Sequence, residues 1–169
     1  MLVIKGYTGP DSYGGTGLFA GEDIPKGALV WKYDPSFTRF LTVKQYFSFQ
    51  PEELQHVQRY SYPIATLDES PPLIGLLLCA DMSRFFNHSD APNIGRVDDH
   101  DGSSLNISLQ SDYALRDIAY GEELTCDYMQ WDPFNIIHSL GIVTGNSFLI
   151  NNHSVEFRRR DSLMLTESS

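Results

Sequence analysis

Cysteine and positive charge are both scarce in this sequence. Its 169 residues include only Cys79 and Cys126, in no Cys-x-x-Cys pair and outside any His-rich segment. A structural zinc site of the usual four-ligand kind is not expected. Lys and Arg number 12 against 22 Asp and Glu, a formal net charge of -10. That balance argues against a binder that tracks nucleic-acid phosphates, which would carry a basic stripe. It suits a basic peptide partner, which an acidic surface attracts. Long apolar runs are missing too. PPLIGLLLCA at 71–80 is too short to span a bilayer. The opening MLVIKGYTGP has no long apolar run and no small-residue cleavage site. No signal peptide is therefore expected, and the chain reads as intracellular, cytoplasmic or chromatin-associated. Asn-x-Ser triplets at 87, 106 and 152 then read as chance matches. There is no internal repeat and no low-complexity tract.

What is present suffices for one domain with a substantial core: 41% hydrophobic and 20% charged residues. Short β-rich runs dominate. LVIKGYT (2–8), LFAGEDI (18–24) and ALVWKYD (28–34) read as strands, with a loop at TGPDSYGGTG (8–17) and a turn at Pro25-Lys26-Gly27. PEELQHVQRY (51–60) reads as a short helix, with Pro51 in its first turn and acids after it. PLIGLLLCAD (72–81) is a buried strand or a buried helix, and periodicity does not decide. LNISLQ (105–110) and YALRDI (113–118) read as strands around Ser111-Asp112, and ELTCDY (123–128) follows a turn at Tyr120-Gly121. FNIIHSLGIV (134–143) reads as a helix stopped by Gly141, and FRRRDSLMLTESS (157–169) as a frayed tail. The fold class expected is mostly β with short helices, α+β.

Taken singly, the motifs favour bland readings. GGTGLFA (14–20) is followed by β-type sequence rather than a helix, which excludes a phosphate loop of the Rossmann or Walker kind. VDDHDG (97–102) as a calcium loop would put Val97 at the first ligand position and Ser108 at the twelfth, both wrong. His88, Ser89 and Asp90 are sequence neighbours, whereas hydrolase triads are assembled from separated segments. The histidines at 56, 100, 138 and 153 read as surface or capping residues. RFFNHSDAPN (84–93) is harder to dismiss, because Phe85 and Phe86 adjoin Asn87 and His88. Either the turn is buried and satisfies its own polar groups, or a ligand completes them.

Order and spacing say more. Gly15-Thr16-Gly17 precedes LFA, RFFNHSDAPN follows, and then comes ALRDIAYGEELTCDY (114–128). The series resembles the SET-domain family of protein-lysine methyltransferases over roughly residues 3–131. The paired signatures NHSxxPN and GEELTxDY, about thirty residues apart, carry most of it. The resemblance implies a fold of small β-sheets with a C-terminal segment threaded under a loop. It implies a SET domain over 1–131, with a central insertion at about 41–72. Residues 132–169 would be an extension, partly helical and then a tail. The lack of further cysteines is similar to the compact, SET-only members of bacteria and viruses.

The resemblance also implies an activity: S-adenosylmethionine-dependent methylation of a lysine amine in a protein, without a metal. Histones, histone-like proteins, ribosomal proteins and other lysine targets all fit. Carried over by residue, the backbone of Gly15, Thr16 and Gly17 approaches the amino-acid moiety of the cofactor. Arg84, Phe85, Asn87 and His88 belong to the string that holds it, with Asn87 and His88 bonding it and Phe85 and Phe86 anchoring the turn. Tyr62, in SYPIATLD, is a further cofactor-side candidate. Tyr128 falls on the catalytic tyrosine and shares the substrate channel with Cys126. Larger relatives complete that channel with a zinc-binding Cys-x-Cys segment, which is missing here. MQWDPFNIIHSLGI (129–142) would replace it, with Trp131 or Phe134 closing over the cofactor, or a homodimer partner would.

The chemistry suits these residues independently. Lysine has a pKa of ~10.4 and must lose a proton before its nitrogen can attack. A nearby sulfonium and an apolar channel both lower that pKa. A tyrosine hydroxyl can align the amine, and aromatic walls accept the methylammonium product. Cys126 lies two residues before Tyr128, so on a strand both would point to one face. Relatives commonly carry Phe or Tyr there, so Cys126 is expected to leave room for further methyl groups. The alternative, from a different class, is a catalytically silent SET-like module that binds peptides. The joint presence of Asn87, His88 and Tyr128 argues for the enzyme.

Overall fold

Short apolar runs broken by glycine, proline and acids can pair only into small sheets. The computed structural model describes residues 1–12, 14–66, 73–96, 111–131 and 136–142, and among these the strands form four such sheets. β1 (Gly6–Pro10) and β2 (Thr16–Ala20) make an antiparallel hairpin with Gly9 opposite Gly17. β1 runs through Gly9 to Pro10, residues expected to lie in the loop. Pro10 is tolerated because it ends the strand, where a missing N–H interrupts nothing.

β3 (Leu29–Lys32) pairs with β9 (Ser111–Ala114), which pairs with β8 (Ile94–Gly95), all antiparallel. Ser111-Asp112, expected between two strands, is corrected here, since both residues lie inside β9 opposite Lys32 and Trp31. LNISLQ, VDDHDG, Phe134 and the C-terminal tail lie outside the described residues. Gly121 sits at φ +82°, a left-handed turn conformation that glycine adopts without strain, just ahead of the EELT segment.

The third sheet has the order β4 (Thr38–Thr42), β6 (Leu73–Cys79), β5 (Ser61–Thr66). α1 (Val43–Tyr46) and α2 (Pro51–Tyr60) connect β4 to β5. α2 starts as its sequence predicts: Pro51 opens it, Glu52 and Glu53 occupy the first turn, and the Glu53 carboxylate accepts from Gln50 N–H at 3.0 Å.

β6 is the strand whose nature periodicity left open, and its packing explains why. Leu73, Leu77 and Cys79 face the main core, built around Leu18, Val30, Ile64, Ile94, Ile118 and Leu124. Ile74, Leu76 and Leu78 face a second cluster with Leu41, Tyr46, Val57, Ile137 and Ile142, beneath the helices. A strand buried on both faces has no polar side, so its alternation is invisible in hydrophobicity. α3 (Ile136–Ser139) closes the second cluster and stops before Gly141.

Candidate active site

The two sequence signatures meet as a parallel pair. β7 (Asn87–His88) lies beside β10 (Thr125–Cys126), with Asn87 opposite Thr125 and His88 opposite Cys126. The backbone N–H of Ser89 donates to Cys126 at 3.1 Å, and that of Asn93 donates to Thr125 at 3.2 Å. Asn93 is 1% exposed, yet its polar atoms are satisfied. Its Nδ2 donates to the Glu123 carbonyl at 2.8 Å, and its Oδ1 accepts from Thr125 N–H at 2.9 Å. One buried amide thus fastens both signatures together.

On one side of this pair lies the hairpin. Asn87 Nδ2 donates to Glu123 Oε1 at 2.7 Å and lies 3.3 Å from Asp11 Oδ2. Asp11 Oδ1 accepts from Gly15 N–H at 2.7 Å. A Cβ on Gly17 would collide with the Glu123 carboxylate and press on Asn87 Nδ2, so only glycine lets backbone and carboxylate come this close. Gly15, Gly17 and Asn87 are therefore brought together with two carboxylates, Asp11 and Glu123. Thr16 is exposed at the start of β2.

On the other side lies Tyr128, 3% exposed. β10 ends at Cys126 and Tyr128 opens a 3-10 turn (Tyr128–Trp131). The strand alternation expected to aim Cys126 and Tyr128 the same way therefore stops short of Tyr128. The Tyr128 N–H donates to His88 Nδ1 at 3.2 Å, which leaves the ring proton on Nε2, 3.1 Å from Asp90 Oδ1. His88, Asp90 and the backbone of Tyr128 form one chain of bonds, with the imidazole side chain 8% exposed. The Tyr128 hydroxyl donates to the Phe86 carbonyl at 2.7 Å. Tyr62, buried in β5, directs its hydroxyl to Ser83 and Phe86 carbonyls at 3.1 and 3.3 Å, and its ring meets that of Tyr128 edge-on. Tyr62 thus stands with the tyrosine of the expected channel.

Phe86 is buried in the main core and Phe85 packs against it. The Arg84 guanidinium lies over the rings of Tyr60 and Phe85, which ties the end of α2 to this segment. His56 is exposed and packs against Tyr60. The Trp131 side chain lies outside the described part. Cys126 lines a cavity of about 330 Å3, its open mouth included, with Tyr62, Ser83, Phe86 and Asp112.

Asp112 is the residue that sequence reasoning misplaced. It is 5% exposed, and burial pushes its carboxyl up to about 7, against the opposing pull of Arg96. The signal was available: Asp112 is two residues before Ala114, and both fall on the buried face of β9. Asn93, Glu123 and Asp11 were also passed over, the first two inside motifs already quoted. Burial likewise holds the Cys79 thiol protonated, pushed up to about 11.

A SET domain family model matches residues 15–129, the span that holds the hairpin glycine, both signatures and Tyr128. The chain belongs to the SET-domain family. This SET domain is similar to solved structures of Polycomb Repressive Complex 2. One is a humanized mutant of the Chaetomium thermophilum complex bound to an inhibitor, at 25% identity and TM-score 0.51, covering 77% of this chain and 15% of that one. Another is an apo form with mutations in Ezh2, at 26% identity and TM-score 0.53, covering 76% and 15%. The chain spans only that small part of the longer proteins. A candidate histone methyltransferase of Plasmodium falciparum matches at 25% identity and TM-score 0.44, over 73% of this chain and 96% of that one. No curated protein matches. Among the described residues no helix is long and apolar enough to cross a membrane, and no group of three or more acids, cysteines or histidines could hold a metal ion.

Proposed function

We propose that this SET domain is a protein-lysine N-methyltransferase that uses S-adenosylmethionine. The observation that carries the reading is the buried Tyr128 hydroxyl, held on the Phe86 carbonyl one residue before Asn87. The residues around Gly17 suit the cofactor. A glycine whose Cβ would fill the space, an amide and two carboxylates match the cationic amino-acid end of such a molecule. Gly15, Gly17, Asn87 and His88 would hold it, with Asp11 and Glu123 facing its ammonium group. When bound, it supplies a methyl group on a sulfonium.

The remaining work falls to this chain. Donation to Phe86 turns the lone pairs of the Tyr128 oxygen toward any amine brought to it, which fixes the direction of the nitrogen lone pair. The edge-on rings of Tyr62 and Tyr128 offer walls for an aliphatic stem and a methylammonium product. Burial excludes water and lowers the pKa of the entering amine. The net charge of -10 favours a basic peptide around the target lysine.

The test is incubation of the protein with methyl-labelled S-adenosylmethionine and a protein extract, followed by mapping of labelled residues. Labelled lysines that vanish with Tyr128→Phe are expected. Cofactor and peptide binding without labelled lysine would instead favour a silent peptide-binding module.

A further inference from the structure

Three aromatic rings from three chain segments meet beside the hairpin. Tyr7 of β1 lies opposite Phe19 of β2, and their rings stack with centroids 5.7 Å apart. Tyr120, in the turn ahead of the EELT segment, sets its ring 6.3 Å from that of Tyr7. Leu18 and Ala20 of β2 are fully buried, so strand alternation turns Phe19 and its partner Tyr7 the other way. None of the three rings belongs to either core cluster. Tyr120 is 66% exposed and Tyr7 42%, so the patch faces solvent.

Two acidic turns border the rings. Gly21-Glu22-Asp23 follows β2, and Gly121-Glu122-Glu123 follows Tyr120. Backbone bonds join them, with Gly121 N–H donating to Ala20 and Ala20 N–H donating to Glu122, both at 2.8 Å. Lys5 pairs with Glu22, Arg116 pairs with Glu122, and Glu123 accepts from the Asn87 amide. Asp23 keeps only a backbone partner among the described residues: its Oδ1 accepts from the Tyr120 N–H at 2.8 Å. That bond holds an unneutralised carboxylate beside the most exposed ring.

We propose that this patch binds a lysine or arginine side chain of a basic protein partner. It lies on the hairpin side of the β7 and β10 pair, away from Tyr128. The face of a tyrosine ring attracts a cation placed over it, and Asp23 adds a full negative charge. The long stem of lysine or arginine covers apolar ring surface while its charged head stays in water. Exposed rings could also stack nucleic-acid bases, but a net charge of -10 repels the phosphates and draws in a basic peptide. A substrate whose target lysine enters beside Tyr128 would be gripped here by a second basic residue. That consequence rests on the methyltransferase reading, whereas the binding itself does not.

The test compares the full chain with a Tyr7→Ser, Tyr120→Ser double variant and with Asp23→Asn. Both tyrosines are exposed, so the folded state should survive their loss, as circular dichroism would show. The probe is a fluorescent peptide with one lysine among alternating arginine and glycine, read by anisotropy at low salt. The double variant should bind it about fivefold more weakly, and Asp23→Asn about twofold. Added salt should narrow both differences. In methyl-transfer assays KM for this peptide should rise by the same factors with kcat unchanged, while KM for a peptide with glutamine in place of arginine stays put. Equal peptide affinity in wild type and double variant would overturn the proposal. So would a wild-type dimer that the double variant dissociates without losing peptide affinity, or tighter binding of a single-stranded oligonucleotide than of the peptide. Peptide affinity lost in the variants, with no methyl transferred by the wild type, would uphold this site and overturn the methyltransferase reading.

Discussion

The hydroxyls of Tyr62 and Tyr128 converge on a single acceptor, the carbonyl oxygen of Phe86, from 3.3 and 2.7 Å. The two rings stand edge-on, with centroids 5.7 Å apart. Phe86 is 4% exposed, so the core fixes the carbonyl and the carbonyl fixes both tyrosines. Both hydroxyls are held in place without any ligand, which is what positioning an amine requires.

Removing the shorter of these bonds should separate alignment from packing. Tyr128→Phe is expected to keep the ring contact with Tyr62 and to cut turnover about 100-fold or more, the scale of losing one positioned group. Binding of S-adenosylmethionine, measured by titration calorimetry, should be nearly unchanged. Turnover equal to wild type would make Tyr128 structural.

Asn87 is tied to the hairpin through Glu123 and Asp11. S-adenosylmethionine should raise the melting temperature of the wild type, because a ligand that binds only the native state stabilises it. Asn87→Ala should lose most of that rise while its ligand-free melting stays cooperative. An undiminished rise would remove Asn87 from the cofactor site.

Cys126 borders open space. The wild type is expected to make dimethyl- or trimethyl-lysine. Cys126→Tyr should shift the product toward monomethyl-lysine by filling the space and holding the amine with a hydroxyl. Mass spectrometry of peptide products at long reaction times decides it, and monomethyl-lysine alone from the wild type would contradict the idea.

Asn93→Ala removes a buried amide and leaves the Glu123 carbonyl and the Thr125 N–H without their partner. A loss of roughly 2–4 kcal/mol is expected from the unsatisfied groups. Urea denaturation should show a lower midpoint, with the slope unchanged. A midpoint within error of wild type would mean that water replaces the amide.

Asp112 sets a pH dependence of stability. Its folded pKa of about 7 lies above the ordinary carboxyl value, so the folded state binds the proton more tightly than the unfolded chain. Its contribution to stability should therefore be highest below about pH 4 and fall as pH rises, by on the order of 1.4 kcal/mol per unit, levelling above pH 7. Asp112→Leu should lack this fall, gaining on the wild type between pH 4 and 7. A stability difference that does not change with pH would show that Asp112 is not buried as a neutral acid.

Turns, chain order and chemistry-bearing residues were legible because each is local. Pro51 with two following acids marks the start of α2, and Gly121 marks the turn ahead of EELT. The motifs around Asn87 and Tyr128 were readable as strings, since they are short and carry unusual combinations of residue types. Where burial was two-sided, the sequence lost its signal, as in Leu73–Cys79. Where a polar residue lay on a buried face, the sequence misled. Asp112 looks like turn chemistry and is a strand residue facing a cavity.

The sequence by itself determined the family, the hairpin glycines and the two signatures, because those depend on local order along the chain. Only the tertiary structure decided which of them touch. It set Asn93 between the signatures, placed Tyr62 beside Tyr128 from a distant part of the chain, and opened a cavity lined by Cys126 and Asp112. The physical reason is that those contacts join segments far apart in the chain. Their distances follow from how four small sheets pack around shared cores, and no window of residues contains that information.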